Sequence, residues 1–129
     1  MKETFNLIKK KIIVIPKISG AKGSKDFSFI LDTGASVSII SDTAAAFLGF
    51  NLSTLPIEVL TTIGGRTTAK SIKLPKIELC GKTISNFEIK IMSLPFQVSL
   101  LADGLIGMDF LLHFKKLKIN FDENVIETF

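Results

Sequence analysis

The stretch Phe29–Ser41, which reads FILDTGASVSIIS, decides the fold of this chain. Its three apolar residues Phe29–Leu31 lead directly into Asp32, and Thr33 and Gly34 follow. A carboxylate at the end of a buried strand is unusual for a structural aspartate, because charged residues are rarely found in a core. The glycine permits a sharp turn and lets its N–H approach the carboxylate. We therefore expect a rigid, hydrogen-bonded acid at Asp32, although Asp and Gly also form plain turns.

Short apolar runs broken by turn residues surround this stretch and predict strands. The predicted strands and hairpins cover Ile12–Ile15, Phe27–Leu31, Val37–Ser41, Ile57–Leu74, Lys76–Cys80, Ile84–Met92, Leu117–Phe121 and Val125–Phe129. Gly64-Gly65 and Gly81-Lys82 are the predicted hairpin turns, because glycine readily takes the positive φ angles that such turns demand. The polar, glycine-containing segment Ser19–Lys25 is predicted to be a loop.

Helical segments are few. Ser41 or Asp42 can cap a helix through Ala44–Leu48 that stops at Gly49, and a short helical turn is expected after Gly107. Strands do not alternate with long helices, which excludes a parallel α/β sheet. The pattern predicts an all-β chain with one or two short helices, folded as a single domain over residues 1–129 and closed or nearly closed as a barrel.

Composition excludes several classes of function. The net charge of +4 comes from scattered lysines with a single arginine, and the chain lacks Trp and Tyr, so we expect no nucleic-acid binding. The apolar run after Lys9–Lys11 ends at Pro16, too short for a membrane span or signal peptide. We expect a cytoplasmic protein without a membrane partner. A single cysteine, Cys80, excludes an intrachain disulfide and a Cys-rich metal site. We expect neither a metal nor a cofactor.

Two separate segments carry a family resemblance. Phe29–Ser41, together with GLIGMDFL at Gly104–Leu111, resembles the retropepsin-like family of aspartic proteases. The order of the motifs is also similar, with a glycine-tipped flap at Ile63–Gly65 between them. The resemblance extends from about Ile12 onward and implies the single-domain retropepsin-like acid protease barrel.

The resemblance also implies roles for individual residues. Asp32 is the implied catalytic acid and base, Thr33 joins two active-site loops through its hydroxyl, and Gly34 binds the substrate backbone. Ala35 completes the active-site loop. The implied flap tip, which closes over the substrate, is Ile63, Gly64 and Gly65. The residues Leu105, Ile106 and Gly107 are implied to support the catalytic loop from beneath.

Aspartic proteolysis requires two carboxylates that share one proton, one to activate water and one to hydrogen-bond to the scissile carbonyl. This chain has one Asp-Thr-Gly, so a homodimer must supply Asp32 twice. The prediction is an aspartic endopeptidase that acts on peptides or proteins. Asp103 and Asp109 are the alternative intrachain partners, but a turn at Asp103 and a helix start at Asp109 explain these residues better.

Ala35 and Met108-Asp109 each modify what the resemblance implies. Ala35 has no hydroxyl to stabilise the ionised carboxylate, so we expect the dyad to keep its shared proton to milder pH than in relatives with a hydroxyl there. Met108-Asp109 replaces the arginine followed by Asn or Asp that helps to organise the retroviral dimer. We therefore expect different dimer contacts.

Alternative functions also fit parts of the sequence. The main one is a non-catalytic dimerisation or peptide-binding module that keeps the protease-like fold. A phosphotransferase is disfavoured because Gly34 stands where a second acid is needed. His113 has no metal-ligand partner nearby, Cys80 has no local histidine to activate it, and Arg66 is either an exposed hairpin residue or a contact to an acidic substrate group.

Overall fold

The computed structural model describes residues 1–129. Thirteen strands make up most of the chain: β1 Lys2–Thr4, β2 Asn6–Ile8, β3 Lys11–Val14, β4 Lys17–Gly20, β5 Gly23–Asp26, β6 Phe29–Leu31, β7 Ile39–Ser41, β8 Glu58–Thr62, β9 Gly65–Leu79, β10 Lys82–Met92, β11 Gly104–Ile106, β12 Leu117–Asn120 and β13 Val125–Thr128. The helical elements are short: α1 Asp42–Phe47, a 3-10 turn Leu52–Thr54, α2 Phe96–Ser99 and α3 Met108–Leu111.

Ten strands form one sheet, in the order β2-β3-β6-β11-β7-β10-β9-β4-β5, with β8 attached to β9. The remaining strands form a terminal sheet in the order β1-β13-β12. The predicted all-β class is confirmed, and the helices number three where the sequence predicted one or two.

Alternation of apolar and polar residues creates the core. Along β10, Phe87, Ile89 and Ile91 are buried while Glu88 is exposed, as expected when successive side chains point to opposite faces of a sheet. The buried faces of the strands meet in one cluster of 22 residues that extends from Phe5 to Ile126. The terminal sheet therefore contributes to the same core as the larger sheet.

Both predicted hairpin turns are displaced by one residue. Thr62 pairs with Gly65, so the first turn consists of Ile63 and Gly64, and the positive φ of 117° falls on Gly65 at the start of β9. Leu79 pairs with Lys82, so the second turn consists of Cys80 (φ 50°) and Gly81 (φ 77°). Two successive left-handed residues match the twist of the flanking strands, which is why this turn is selected despite the cysteine.

The loop predicted at Ser19–Lys25 is shorter than expected. Strands β4 and β5 pair as a hairpin from Lys17 with Asp26 to Gly20 with Gly23, so only Ala21 and Lys22 form the turn. The predicted start of the first helix is confirmed. Ser41 caps α1, since its hydroxyl oxygen accepts a hydrogen bond from the Ala44 N–H at 3.1 Å.

The two chain ends meet within the same sheet. Strand β1 pairs antiparallel with β13, and the Met1 amino group donates to the Thr128 carbonyl at 3.0 Å. This sheet is joined to the turn between β9 and β10. The Cys80 thiol donates to the Glu3 carboxylate at 3.0 Å, and the Thr128 hydroxyl donates to the Cys80 carbonyl at 3.0 Å. Both termini are thereby attached to the end of the longest hairpin.

None of the helices has the length and apolar character needed to cross a lipid bilayer.

Candidate active site

Asp32 follows the three buried residues of β6 and lies where that strand ends. Its backbone N–H donates to the Ile106 carbonyl of β11 at 2.9 Å, and its own carbonyl accepts from the Ala35 N–H at 3.2 Å. Since β6 and β11 run parallel, with Leu31 opposite Ile106, the turn after β6 lies beside Gly107. The backbone of the candidate active-site turn is therefore fixed from two sides.

The Asp32 carboxylate is half-buried and has one hydrogen bond within the chain, from the Gly34 N–H to Oδ1 at 2.9 Å. A Cβ on Gly34 would lie 3.3 Å from the same oxygen, a contact tighter than most side chains tolerate. The glycine thus allows the close approach that the sequence predicted. The second carboxylate oxygen, Oδ2, has no hydrogen-bond partner in the chain, which leaves it available to a ligand or a second acid.

A buried hydrogen-bond network supports this turn from beneath. Ser38, which is fully buried, accepts a bond from the Gly107 N–H at 2.9 Å and donates to Asp109 Oδ1 at 2.7 Å. The Ser38 N–H donates to the other Asp109 oxygen at 3.0 Å, and the Met108 N–H donates to the Ala35 carbonyl at 2.8 Å. Asp109 therefore fastens α3 to the segment that follows the turn.

Gly107 must be glycine because of this network. A Cβ there would lie 2.7 Å from the Val37 carbonyl oxygen and 2.8 Å from that of Ala35, both backbone atoms that cannot move aside. The close packing of Gly107 beneath the loop agrees with the supporting role implied for Leu105–Gly107. Sequence analysis missed Ser38; the available signal was a single hydroxyl between Val37 and Ile39 in an apolar run.

Thr33 is exposed, and its hydroxyl has no hydrogen-bond partner in its own chain. The resemblance implied that this hydroxyl joins two active-site loops. The chain has one such loop, so a bond of this kind requires the loop of a second copy.

A cleft of about 600 Å³ opens between the Asp32 turn and the flap hairpin, defined here as β8, its tip and residues 65–69 of β9. It brings together the following residues: Asp32, Gly34, Ala35, Ser36, Val37, Ile39, Leu60, Thr61, Thr62, Ile63, Gly64 and Leu105. Of the predicted site residues, Thr33 and Gly65 do not line it. Ile63, at the tip, is fully exposed and has no packing partner within the chain.

Asp32 is the only carboxylate that lines this cleft. The Asp103 carboxylate accepts a bond from the Ser28 N–H at 3.3 Å, one residue before β6, whereas Asp32 follows its last residue. Ser28 and Asp32 are four residues apart along an extended strand, which corresponds to about 13 Å. Asp109 is engaged by Ser38. Neither alternative acid forms a pair with Asp32 within the chain.

The other candidate residues have structural environments. The exposed His113 ring lies 3.1 Å from the Phe110 carbonyl through Nδ1, and no group of three potential ligands is close enough to hold a metal ion. Burial, followed by the adjacent Glu3 carboxylate, raises the pKa of the Cys80 thiol, which keeps it protonated and unreactive. Arg66 is exposed at the start of β9, and its side chain makes no hydrogen bond or ion pair within the chain.

Comparisons with known proteins agree with this geometry. The sequence model of a family described as aspartyl protease matches residues 16–110, more than half of the chain. A retropepsin-like aspartic protease from Rickettsia conorii has a similar structure, with a TM-score of 0.72, 21% identity and coverage of 100% of this chain and 90% of its own. The EIAV protease, solved with the inhibitor HBY-793, gives a TM-score of 0.60 at 20% identity and covers 86% of this chain and 93% of its own.

At these identities the solved structures establish only the fold, and membership of the family is shown by the match to its sequence model. No protein of curated function matches the sequence. The half-buried Asp32, the glycine that approaches it and the supporting Gly107 all lie within the matched residues. The chain therefore belongs to the aspartyl protease family and has the retropepsin-like fold.

Proposed function

We propose that this protein is an aspartic endopeptidase that acts as a homodimer, with Asp32 of each subunit forming the catalytic dyad. The observation that carries the proposal is a lone carboxylate, positioned by the Gly34 N–H, in a cleft of about 600 Å³ that contains no second acid. The unpartnered Thr33 hydroxyl beside it fits a contact with the equivalent loop of the second copy.

The proposed reaction uses one ionised and one protonated Asp32. The ionised carboxylate takes a proton from a water molecule as the water oxygen attacks the scissile carbonyl carbon. The protonated carboxyl donates its proton to the carbonyl oxygen, which gives a tetrahedral diol. Collapse of the diol breaks the C–N bond, and a proton passes from the dyad to the departing amine. The Gly34 N–H holds one carboxylate oxygen in place throughout.

The lining of the cleft supports an extended, largely apolar peptide as the class of substrate. The apolar side chains along its walls come from Val37, Ile39, Leu60, Ile63 and Leu105, and Asp32 is the only charged group. Burial of apolar side chains in such pockets provides binding energy, while the few polar groups fix the orientation of the ligand.

Replacement of Asp32 by Asn tests the assignment. We expect Asp32→Asn to abolish cleavage of a peptide library while the far-UV circular dichroism spectrum and the sedimentation coefficient stay unchanged. Cleavage that survives the substitution excludes Asp32 as the catalyst. Absence of cleavage by a wild-type chain that forms dimers favours instead the non-catalytic dimerisation or peptide-binding module.

Mixing of subunits tests the shared dyad. With wild-type protein held constant and an equal amount of Asp32→Asn protein added, about half of the wild-type subunits enter mixed dimers, so activity falls by about half. An active monomer would show no loss. Sedimentation across a concentration series identifies the dimer directly.

Ala35 leaves the Asp32 carboxylate without a hydroxyl donor at that position, and we expect the pH–rate profile to extend to mild pH. Ala35→Ser adds that donor and should shift the activity of the dyad towards lower pH. A wild-type profile confined to strongly acidic pH would contradict this expectation.

A further inference from the structure

A charged cluster joins the base of the flap hairpin to the floor of the cleft. The Glu58 Oε2 atom of β8 accepts hydrogen bonds from Lys90 Nζ of β10 at 2.9 Å and from the Ser71 hydroxyl of β9 at 2.9 Å. Lys90 Nζ also lies 2.8 Å from the Ser71 hydroxyl oxygen. Three residues from three strands therefore share one site, and each touches the other two.

Lys90 has an unusual environment for a lysine. It lies between the buried residues Ile89 and Ile91, and only 20% of its side chain is exposed, against 41% for Glu58. A lysine side chain with limited access to water is stabilised by a charged partner, and Glu58 provides the opposite charge. The other ion pair of the protein, between Lys2 and Glu127 in the terminal sheet, is longer at 3.6 Å, and its lysine is 70% exposed.

The cluster borders the candidate active site. Lys90 is paired in register with Ile39 of β7, and its backbone N–H donates to the Ser38 carbonyl at 3.1 Å. Ile39 lines the cleft, and Ser38 is the buried residue that holds Gly107 and Asp109. Lys90 thus contacts the support of the Asp32 turn through its backbone and the flap hairpin through its side chain.

Glu58 connects the same cluster to the flap hairpin. Leu60, two residues further along β8, lines the cleft from above, and alternate residues of a strand share a face. Strand β8 pairs only with β9, so its other edge is open. The bond from Glu58 to Lys90 is the only hydrogen bond that connects β8 to the sheet without passing through β9.

We propose that Lys90 is a positioning residue, which through Glu58 fixes the base of the flap hairpin above the cleft floor and so sets where the flap tip closes over Asp32. The importance of this contact for catalysis rests on the proposed function. Flap closure over a substrate requires a fixed base about which the hairpin moves, and hinge positions of this kind alter substrate binding when they are changed.

The first test uses the free protein and needs no activity. Lys90→Met keeps the length and apolar stem of the side chain but removes the ammonium group. We expect amide hydrogen exchange at residues 59–68 to accelerate roughly tenfold, the amount that loss of one charge-assisted hydrogen bond allows. Lys2→Met, which removes the other ion pair, is the matched control and should leave these amides unchanged.

Three further variants distinguish loss of this contact from a folding defect. Glu58→Gln removes the charge from the exposed side of the pair, retains an acceptor and should accelerate exchange in the same segment by a smaller factor. Lys90→Arg keeps the charge and should restore exchange to nearly the wild-type rate. The double variant Lys90→Met with Glu58→Gln should behave like Lys90→Met alone, because both changes break one interaction.

The second test uses peptide cleavage by the dimer. We expect Lys90→Met to raise KM roughly fivefold while kcat changes less than about twofold, since the residue positions the flap and does not touch the reacting atoms. Wild-type flap exchange or an unchanged KM in Lys90→Met overturns the positioning role. A wild-type chain without cleavage overturns the proposed protease function, and the exchange comparison then decides the structural role of Lys90 by itself.

Discussion

The two ends of β9 differ in almost every respect, although they belong to one continuous strand of 15 residues. At its start, Gly65 and Arg66 are exposed and pair only with the flap strand β8. Towards its end, Leu74, Ile77 and Leu79 are buried between neighbouring strands. The Cys80–Gly81 turn beyond them is bonded to both chain termini.

This difference leads us to expect that the flap hairpin moves relative to the anchored end of β9 without a separate hinge. Burial and hydrogen bonding fix the far end, and the near end is held by ladder bonds and by the Glu58–Ser71–Lys90 cluster. Ser71 lies where the exposed part of the strand gives way to the buried part. Opening free energies of segments in a native protein follow local burial and contact density, so we expect the flap end to open first.

The largest difference in stability between the two ends of β9 is expected on truncation of a buried side chain. Leu74→Ala at the anchored end should lower the free energy of unfolding by about 2–5 kcal/mol, since Leu74 is fully buried in the main core. Val59→Ala on the flap, where the side chain is 68% exposed, should change it by less than about 0.5 kcal/mol. Urea denaturation measures both. Equal losses would show that the flap is part of the cooperative core.

Removal of one hydroxyl at each end is the next test. Thr128→Val deletes the buried bond to the Cys80 carbonyl and should cost about 1–3 kcal/mol. Thr62→Val deletes an exposed bond of similar length, 2.9 Å, to the Gly65 carbonyl and should cost less than about 0.5 kcal/mol. Thermal denaturation compares the two. A larger loss at Thr62 would reverse the assignment of the anchored end.

Glycine replacement gives a smaller contrast. Gly81→Ala should cost about 1–2 kcal/mol, because φ is 77° and the new Cβ would lie 2.9 Å from Met1 Cγ, which must move. Gly65 has a φ of 117°, but no atom lies within 4 Å of the position that an alanine Cβ would take, and local opening of the flap relieves the strain. We expect Gly65→Ala to lower the denaturation midpoint less than Gly81→Ala. The reverse order would show that the flap resists local opening.

The smallest expected effect is a pH dependence confined to the flap. Hydrogen bonds from Lys90 and then Ser71 hold the pKa of Glu58 below its ordinary value of 4.5. The bond to Glu58, with the nearby Glu88 charge, raises the pKa of Lys90 above 10.5. Glu58 therefore contributes stability that is complete above 4.5 and lost as the pH falls through its lowered pKa, and the Lys90 contribution is complete below 10.5 and lost above it.

Amide exchange, normalised to the rates of unstructured peptides, checks this dependence. Between about pH 6 and about pH 3.5 we expect exchange at residues 59–68 to accelerate a few-fold while that at residues 74–79 stays constant. Glu58→Gln should remove the dependence. Parallel acceleration at both ends would indicate a general loss of stability in acid.

The sequence predicted the parts of the molecule that depend on local patterns. The all-β class, the Ser41 cap of α1 and the approach of Gly34 to Asp32 follow from hydrophobic runs and from residue types at fixed spacing. Hairpin turns were displaced by one residue, because strand register decides which residues form the turn. The left-handed Cys80 has no signal in the sequence.

Sequence patterns did not predict the contacts between segments that are distant along the chain. Lys90 alternates with isoleucines in the way a solvated strand residue does, and only the pairing of β10 with β9 and β7 places it near Glu58. Ser38 and Asp109 are 71 residues apart, so their bond depends on the tertiary fold. Asp109 stands in the pair that replaces the retroviral arginine and its neighbour, and its role here is to fasten α3 to the segment after the candidate active-site turn.

The pairing of β1 with β13 inside one chain has a consequence for regulation. Because the termini pair within the chain, we expect a subunit to fold before it meets a partner, which would make folding and association separate equilibria. For the proposed dimer, mass action then governs activity, and protein concentration alone sets the fraction of complete dyads. We expect dilution to abolish the proposed cleavage without unfolding the subunits, and a higher concentration of the chain to restore it at the rate of subunit encounter.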